Sequence, residues 1–179
     1  MSTLKVSTIS PLGTDATKTI TIGSASNGDV AAGVFTNVPM FRAKLTSSQS
    51  VATGAYTKIN LDAVDFDSDN VFNTSTYKFT VPSGQAGKYL IGYSIGTDAA
   101  LDDGERLIGR IYLNGSGLNY TTSNDWSPGG TFDLFVNLSV IINLSVSDYL
   151  ELYCFHNEGA AVNINSSYTR FWAQRLIGA

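Results

Sequence analysis

Cysteine and histidine are almost missing from this chain: Cys154 and His156 are the sole examples among 179 residues. One thiol cannot close an internal disulfide, and one thiol with one imidazole cannot supply the four ligands of a closed zinc site. Any Ser-His-Asp or Cys-His scheme would have to pass through His156. Because Cys154 and His156 are two apart in a β-rich run, they face the same side of a strand, which reads as a packed pair rather than a catalytic one. Charge is also scarce, at 15% of residues, and eleven Lys and Arg against fifteen Asp and Glu leave a net charge of −4. Such a field repels phosphate backbones, so nucleic acid is not an expected partner. No apolar run approaches the ~20 residues of a membrane-spanning helix. The opening MSTLKVSTIS lacks the apolar stretch that follows the basic residues of a secretory signal, so synthesis in a cytosol without membrane insertion is expected. Long internal repeats of the kind that build polysaccharide-degrading β-helices are absent too. The expectation is a chain without enzymatic activity, cofactor or metal.

What is present is apolar residue in alternation. From Thr131 to Val146, Phe132, Leu134, Val136, Leu138, Val140, Ile142, Leu144 and Val146 fill the even positions, and only Phe135 and Ile141 break the polar odd set. Period two means strand, and the length of this run predicts a bend or break within it. Tyr89, Ile91, Tyr93 and Ile95 alternate likewise with Gly92, Ser94 and Gly96. Turn chemistry separates the runs: Pro82-Ser83-Gly84, Asn114-Gly115, Ser127-Pro128-Gly129-Gly130 and Asn157-Glu158-Gly159. With no capped helical stripe, short strands at this spacing predict an all-β sandwich or barrel.

Residues 1–38 differ. Leu4 and Val6 form one scrap of alternation and Ile20 and Ile22 another, set among Pro, Gly, Ser, Asn and Ala. Two short strands bury too little to offset their ordering entropy, so this segment is either a loose terminus or an arm that orders by pairing with copies of itself or a larger assembly. Residues 39–179 form the predicted globular domain.

The strand from Tyr149 to Phe155 has two unusual faces. Leu150, Leu152 and Cys154 line one, while Tyr149, Tyr153 and Phe155 stand on the other, and Tyr168 and Trp172 repeat the pattern near the end. A strand with one face in water would be polar on that face. Either loops of the same chain cover these rings, or Tyr149, Tyr153, Phe155, Tyr168 and Trp172 line a subunit interface, where aromatic anchors are enriched.

Several segments occur in a familiar order. Phe41-Arg42-Ala43-Lys44-Leu45, Tyr56-Thr57-Lys58-Ile59, Asp69 through Pro82, Gly87-Lys88-Tyr89, Leu113-Asn114-Gly115, Ser147-Asp148-Tyr149-Leu150-Glu151-Leu152 and Thr169-x-Phe171 together resemble the complement component 1q globular-head family of the tumour-necrosis-factor-like superfamily. The resemblance covers about three quarters of the chain, from Phe41 to Ala179. Ser147 stands where the family has Gly, Gln85-Ala86 is inserted before Gly87, and Ala173 replaces a frequent Gly. The resemblance implies a ten-strand jelly roll forming a homotrimer. No collagen-like Gly-X-Y stem precedes it. Ser2 through Val6 with Ile20 through Gly23 are instead similar to the short anchoring arms of bacteriophage structural proteins. That implies a capsid decoration protein or short fibre, located in the virion, assembled in the host cytoplasm and docked to other virion proteins through Leu4, Val6, Ile20 and Ile22.

Asp65-Phe66-Asp67-Ser68-Asp69 has the alternating carboxylates of a calcium loop, but Asn70 replaces the turn Gly and Thr76 stands where the bidentate Glu belongs. It reads as a solvated acidic loop, as do Asp102, Asp103 and Glu105. Trp126, in the stretch Ser123 to Pro128, reads as a loop tryptophan. It either folds onto protein or stacks on a sugar ring of a host surface, with Asn124 or Asp125 bonding the hydroxyls; this second option is the adhesin alternative.

Overall fold

The computed structural model describes residues 38–176. The anchoring positions Leu4, Val6, Ile20 and Ile22, and all of the expected arm but Val38, lie outside the described residues. Apart from one short 3-10 turn at Asn119–Thr121, every regular element described is a strand.

Alternation decides how those strands are used. Inward positions are apolar on both sides of a sandwich, and two antiparallel sheets meet over them. The first has the order β11 (Phe135–Leu144), β7 (Gly87–Gly96), β14 (Arg170–Arg175), β1 (Met40–Lys44) and β4 (Ala63–Asp67). The second has the order β10 (Ser123–Trp126), β8 (Arg106–Leu113), β12 (Tyr149–His156), β6 (Lys78–Thr80) and β5 (Phe72–Asn73). To it are added β3 (Thr57–Lys58), paired with β12, and β9 (Ser116–Gly117), paired with β8. A separate ribbon joins β2 (Gln49–Val51) to β13 (Val162–Ile164). The described residues thus hold fourteen strand segments where ten were expected. The excess arises because connecting segments form ladders of only two or three residues, such as β3, β5 and β9.

The core is aromatic at one end. Phe41 of β1 stacks on Phe72 and Phe79 at centroid distances of 4.9 and 5.1 Å and meets the edge of Phe171, so rings from both sheets interlock. Elsewhere a single side chain crosses the sandwich. Tyr93 of β7 donates to the carbonyl of Gly109 on β8 at 2.8 Å and accepts from the Ser123 N–H at 3.0 Å. A Cβ on Gly109 would lie 2.4 Å from the Tyr93 ring, so glycine is required for the ring to pass. Burial pushes the Tyr93 phenol up to about 12.

The long alternating run is a strand only over Phe135–Leu144, with Val136, Ile142 and Leu144 buried. Phe132, although in phase with them, is 71% exposed, because the Pro128-Gly129-Gly130 turn keeps the chain irregular up to the start of β11. Asn114 and Gly115 both take positive φ, 52° and 80°, and join β8 to β9 by a two-residue hairpin. Ser147 sits at φ 69°, in the left-handed region where glycine costs least, so the family's glycine position keeps its backbone shape without its residue.

Candidate functional site

Sheet pairing sorts the outward side chains into two faces on opposite sides of the sandwich. On β12 the odd positions Tyr149, Glu151, Tyr153 and Phe155 point out, and their partners on β8, Tyr112, Arg110 and Ile108, join them. Tyr168 and Trp172 belong instead to the β14 side, where Trp172 pairs with Arg42 and Gly92. The five aromatics expected at one subunit interface therefore split into two sets. That split arises because strand-to-strand register, not spacing along the chain, determines which rings are neighbours.

The first face, on the five-stranded sheet, carries exposed apolar side chains set among polar ones such as Asn137, Ser139 and Ser94. The Trp172 ring lies over Gly92, where a Cβ would come within 2.1 Å of it. Phe135 and Tyr168 pack over Gly96 and meet edge to face at 5.0 Å. Phe66, Phe135, Ile141 and Tyr168 are 45%, 42%, 56% and 46% exposed. Phe135 and Ile141 are the two residues that break the polar set of their alternating run, and that break is the sequence signal for this face. An open depression of about 380 Å³ lies against Met40, Arg42, Phe66, Arg170, Trp172 and Gln174. Beside it Asp65 holds Lys44 at 2.6 Å, Arg42 at 2.8 Å and Arg170 at 3.6 Å. The hydrogen bond from Lys44, with help from Arg42, keeps the Asp65 carboxyl below its ordinary range.

The second face interleaves rings with cations. Tyr112 stacks on Tyr153 at 3.9 Å, Tyr56 contacts Phe155 at 5.4 Å, and Arg110 lies over Tyr56 at 4.4 Å. Arg106 sits 5.3 Å from the Trp126 ring and 5.5 Å from Phe155, and Lys78 lies 4.0 Å over Tyr149. Glu151, 4% exposed, is held by Lys58 at 2.9 Å and Lys78 at 3.7 Å. Arg106 and Arg110 form no ion pair among the described residues.

Trp126 is not in a loop. It ends the edge strand β10, opposite Arg106, and is 55% exposed. The Ser and Asn around it read as loop chemistry, but pairing with β8 overrides that local preference. Asn124 shares its side of the strand, whereas alternation sends Asp125 to the other side, where its carboxylate accepts the Trp126 N–H at 3.0 Å. Tyr56, Arg106, Arg110 and Tyr112 carry no sequence signal for this face, since each is unremarkable until the sheet brings them together.

The groups that chemistry would need are tied up elsewhere. Cys154 and His156 are both fully buried on the inward side of β12. His156 Nε2 meets the Val51 carbonyl at 3.0 Å, and burial pushes the Cys154 thiol up to about 12. In the acidic loop Asp65 is committed to its three cations, and both oxygens of Asp67 accept backbone N–H groups, from Val71 and Phe72 at 2.9 Å each. Among the described residues no three carboxylate, imidazole or thiol groups converge as a metal-ligand set. Among those residues, too, no helix is long and apolar enough to cross a membrane.

Known proteins share this architecture. The chain superposes on the globular domain of a zebrafish complement 1qA protein with a TM-score of 0.58 at 15% identity, covering 78% of this chain and 98% of that one. An Eiger TNF from S. frugiperda matches with a TM-score of 0.54 at 9% identity, covering 79% of this chain and 93% of that one. Murine APRIL matches at 0.56 and 8% identity, covering 78% of this chain and all of that one. At these identities the likeness establishes the jelly-roll fold. No family model matches the chain. In sequence, the Bacillus subtilis (strain 168) protein YqcC, itself uncharacterized, is 30% identical over 107 residues. That stretch is 58% of this chain, and the chain spans only 28% of that relative's length.

Proposed function

We propose that this chain is a non-enzymatic surface structural protein of a bacteriophage particle: a homotrimeric jelly-roll head, serving as capsid decoration or short fibre, carried on an arm of residues 1–38. The observation behind the self-association is the first face. Phe66, Phe135, Ile141 and Tyr168 leave close to half of their surface in water in a single chain. Each is already about half covered, so covering the rest of one contributes about 1 kcal/mol, and the four together favour a second copy. The virion assignment is supported by the likeness of residues 1–38 to phage anchoring arms.

Sedimentation of the full chain tests the head. A trimer at micromolar concentration is expected, and Ile141→Asp should weaken it on the order of a hundredfold by placing a charge in an apolar seam. A monomeric parent chain would refute the reading. Particle assembly tests the arm: a chain lacking residues 1–38 should stay out of virions, and normal incorporation would eliminate the anchoring role.

A second reading is a host-receptor-binding adhesin that recognises cell-surface glycan. It is favoured by Trp126, 55% exposed at the edge of the aromatic and cationic second face. On this reading Trp126→Ala reduces adsorption to host cells while the fold is retained; unchanged adsorption would leave pure decoration.

A further inference from the structure

We propose that the outer face of the seven-stranded sheet binds a carboxylate-bearing oligosaccharide, its sugar rings lying on Trp126, Phe155 and Tyr56 and its carboxylates taken by Arg106 and Arg110. This deepens the adhesin reading and rests on it.

Charge points to an anion. Four cations, Lys58, Lys78, Arg106 and Arg110, share this face in a molecule of net charge −4. Glu151 neutralises only the two lysines, and it is itself buried between them. The two guanidinium groups are left without a carboxylate among the described residues, and the buried Nε of Arg106 has no hydrogen-bond acceptor there. Arg110 donates from Nε to Thr122 Oγ1 at 2.9 Å. A guanidinium fork matches a carboxylate in plane and spacing, and a nearby ring face holds the fork in position.

Shape points to a saccharide. Trp126, Arg106, Phe155, Tyr56 and Arg110 form an unbroken series with successive separations of 5.3, 5.5, 5.4 and 4.4 Å. Two guanidinium groups and three rings are therefore in contact one after another, with Phe155 and Tyr56 adjacent. An extended peptide would need main-chain partners, yet β8 and β12 beneath this series spend theirs on each other and on β10, β6 and β3. A pyranose asks only for a ring to cover its apolar face and donors for its oxygens.

Calorimetry on the full chain with oligogalacturonate, its methyl-esterified form and poly-glutamate tests this. Oligogalacturonate should bind. Methyl esterification, Arg106→Gln and Arg110→Gln should each weaken that binding about tenfold or more, as expected for loss of a charge-assisted bond. Lys88→Gln, remote from this face, should leave it unchanged, and circular dichroism should show every variant folded. Should the esterified sugar bind as well as the acid, or either arginine variant bind like the parent, the acidic class is overturned while the glycan reading stands. Tighter binding of poly-glutamate overturns the inference in favour of an acidic peptide. Binding of neither sugar overturns the inference, while the adsorption of Trp126→Ala to host cells decides the glycan reading separately.

Discussion

On the five-stranded sheet the outward rings lie over glycines, Trp172 on Gly92 and Phe135 on Gly96, whereas on the seven-stranded sheet Tyr112, Tyr153, Phe155 and Tyr149 are interleaved with Arg106, Arg110, Lys58 and Lys78. The first arrangement leaves exposed apolar side chains near Arg42, Lys44 and Arg170, which are gathered on Asp65. The second satisfies its rings by contact with cations of the same chain and keeps two guanidinium groups in reserve. A face of exposed apolar side chains is best covered by another copy of a similar surface. A face of rings in contact with cations is already half covered by itself and selects for a ligand with charge. Similar residue composition thus yields two kinds of surface: glycines underlie Trp172 and Phe135 on the first, where Arg42 meets Phe66, whereas cations meet Tyr56, Trp126, Tyr149 and Phe155 on the second.

Both faces depend on the sheets staying in register, and the largest expected effect strikes there. Gly109→Ala should cost about 3 kcal/mol or more in chemical denaturation, because the added methyl group collides with the Tyr93 ring and disturbs its three bonds, with the Gly109 and Thr121 carbonyls and the Ser123 N–H. A loss of a few tenths would mean that Tyr93 does not pin the sandwich.

Alkaline titration tests one inward side chain from each sheet. The Cys154 thiol is raised from 9.0 to about 12 and the Tyr93 phenol from 10.0 to about 12, both chiefly by burial. Each stays neutral in the fold while the unfolded chain ionises, so their contribution is complete below about pH 9 and is lost as pH rises toward 12. Thermal or denaturant melts should lose at most about 3 kcal/mol for the thiol and about 1.4 kcal/mol for the phenol by pH 11. Cys154→Ala should flatten the earlier part of that decline; an unchanged slope would mean that the thiol is accessible.

A smaller effect separates the two faces. Tyr153→Ala removes the stack with Tyr112 and should lower stability by about 1–2 kcal/mol, while leaving the sedimentation behaviour that Ile141→Asp disrupts. If Tyr153→Ala instead dissociated the assembly, the seam would include the second face and the division drawn between them would fail. The smallest expected change is a gain. Ser147→Gly relieves a left-handed backbone at φ 69° and should stabilise both faces alike by about 1 kcal/mol; no gain would show that the serine is held there without strain.

The alternating runs, the Asn114-Gly115 hairpin and the two-sided character of Tyr149 to Phe155 were all legible in the chain, because each rests on geometry repeated within a few residues. So was the placement of Cys154 and His156 together on one side of one strand. Phe135 and Ile141 were visible as breaks in a pattern, though not their purpose. What only the tertiary structure decided is company. Arg106 meets Trp126 across a ladder, and Tyr56 reaches Phe155 from a segment about a hundred residues away, so neither contact has a local signature. Side-chain alternation is a property of one strand, but a face belongs to several strands whose spatial order departs from their order in the chain. For that reason Trp172 and Tyr153, alike in sequence pattern, ended on opposite sides of the sandwich.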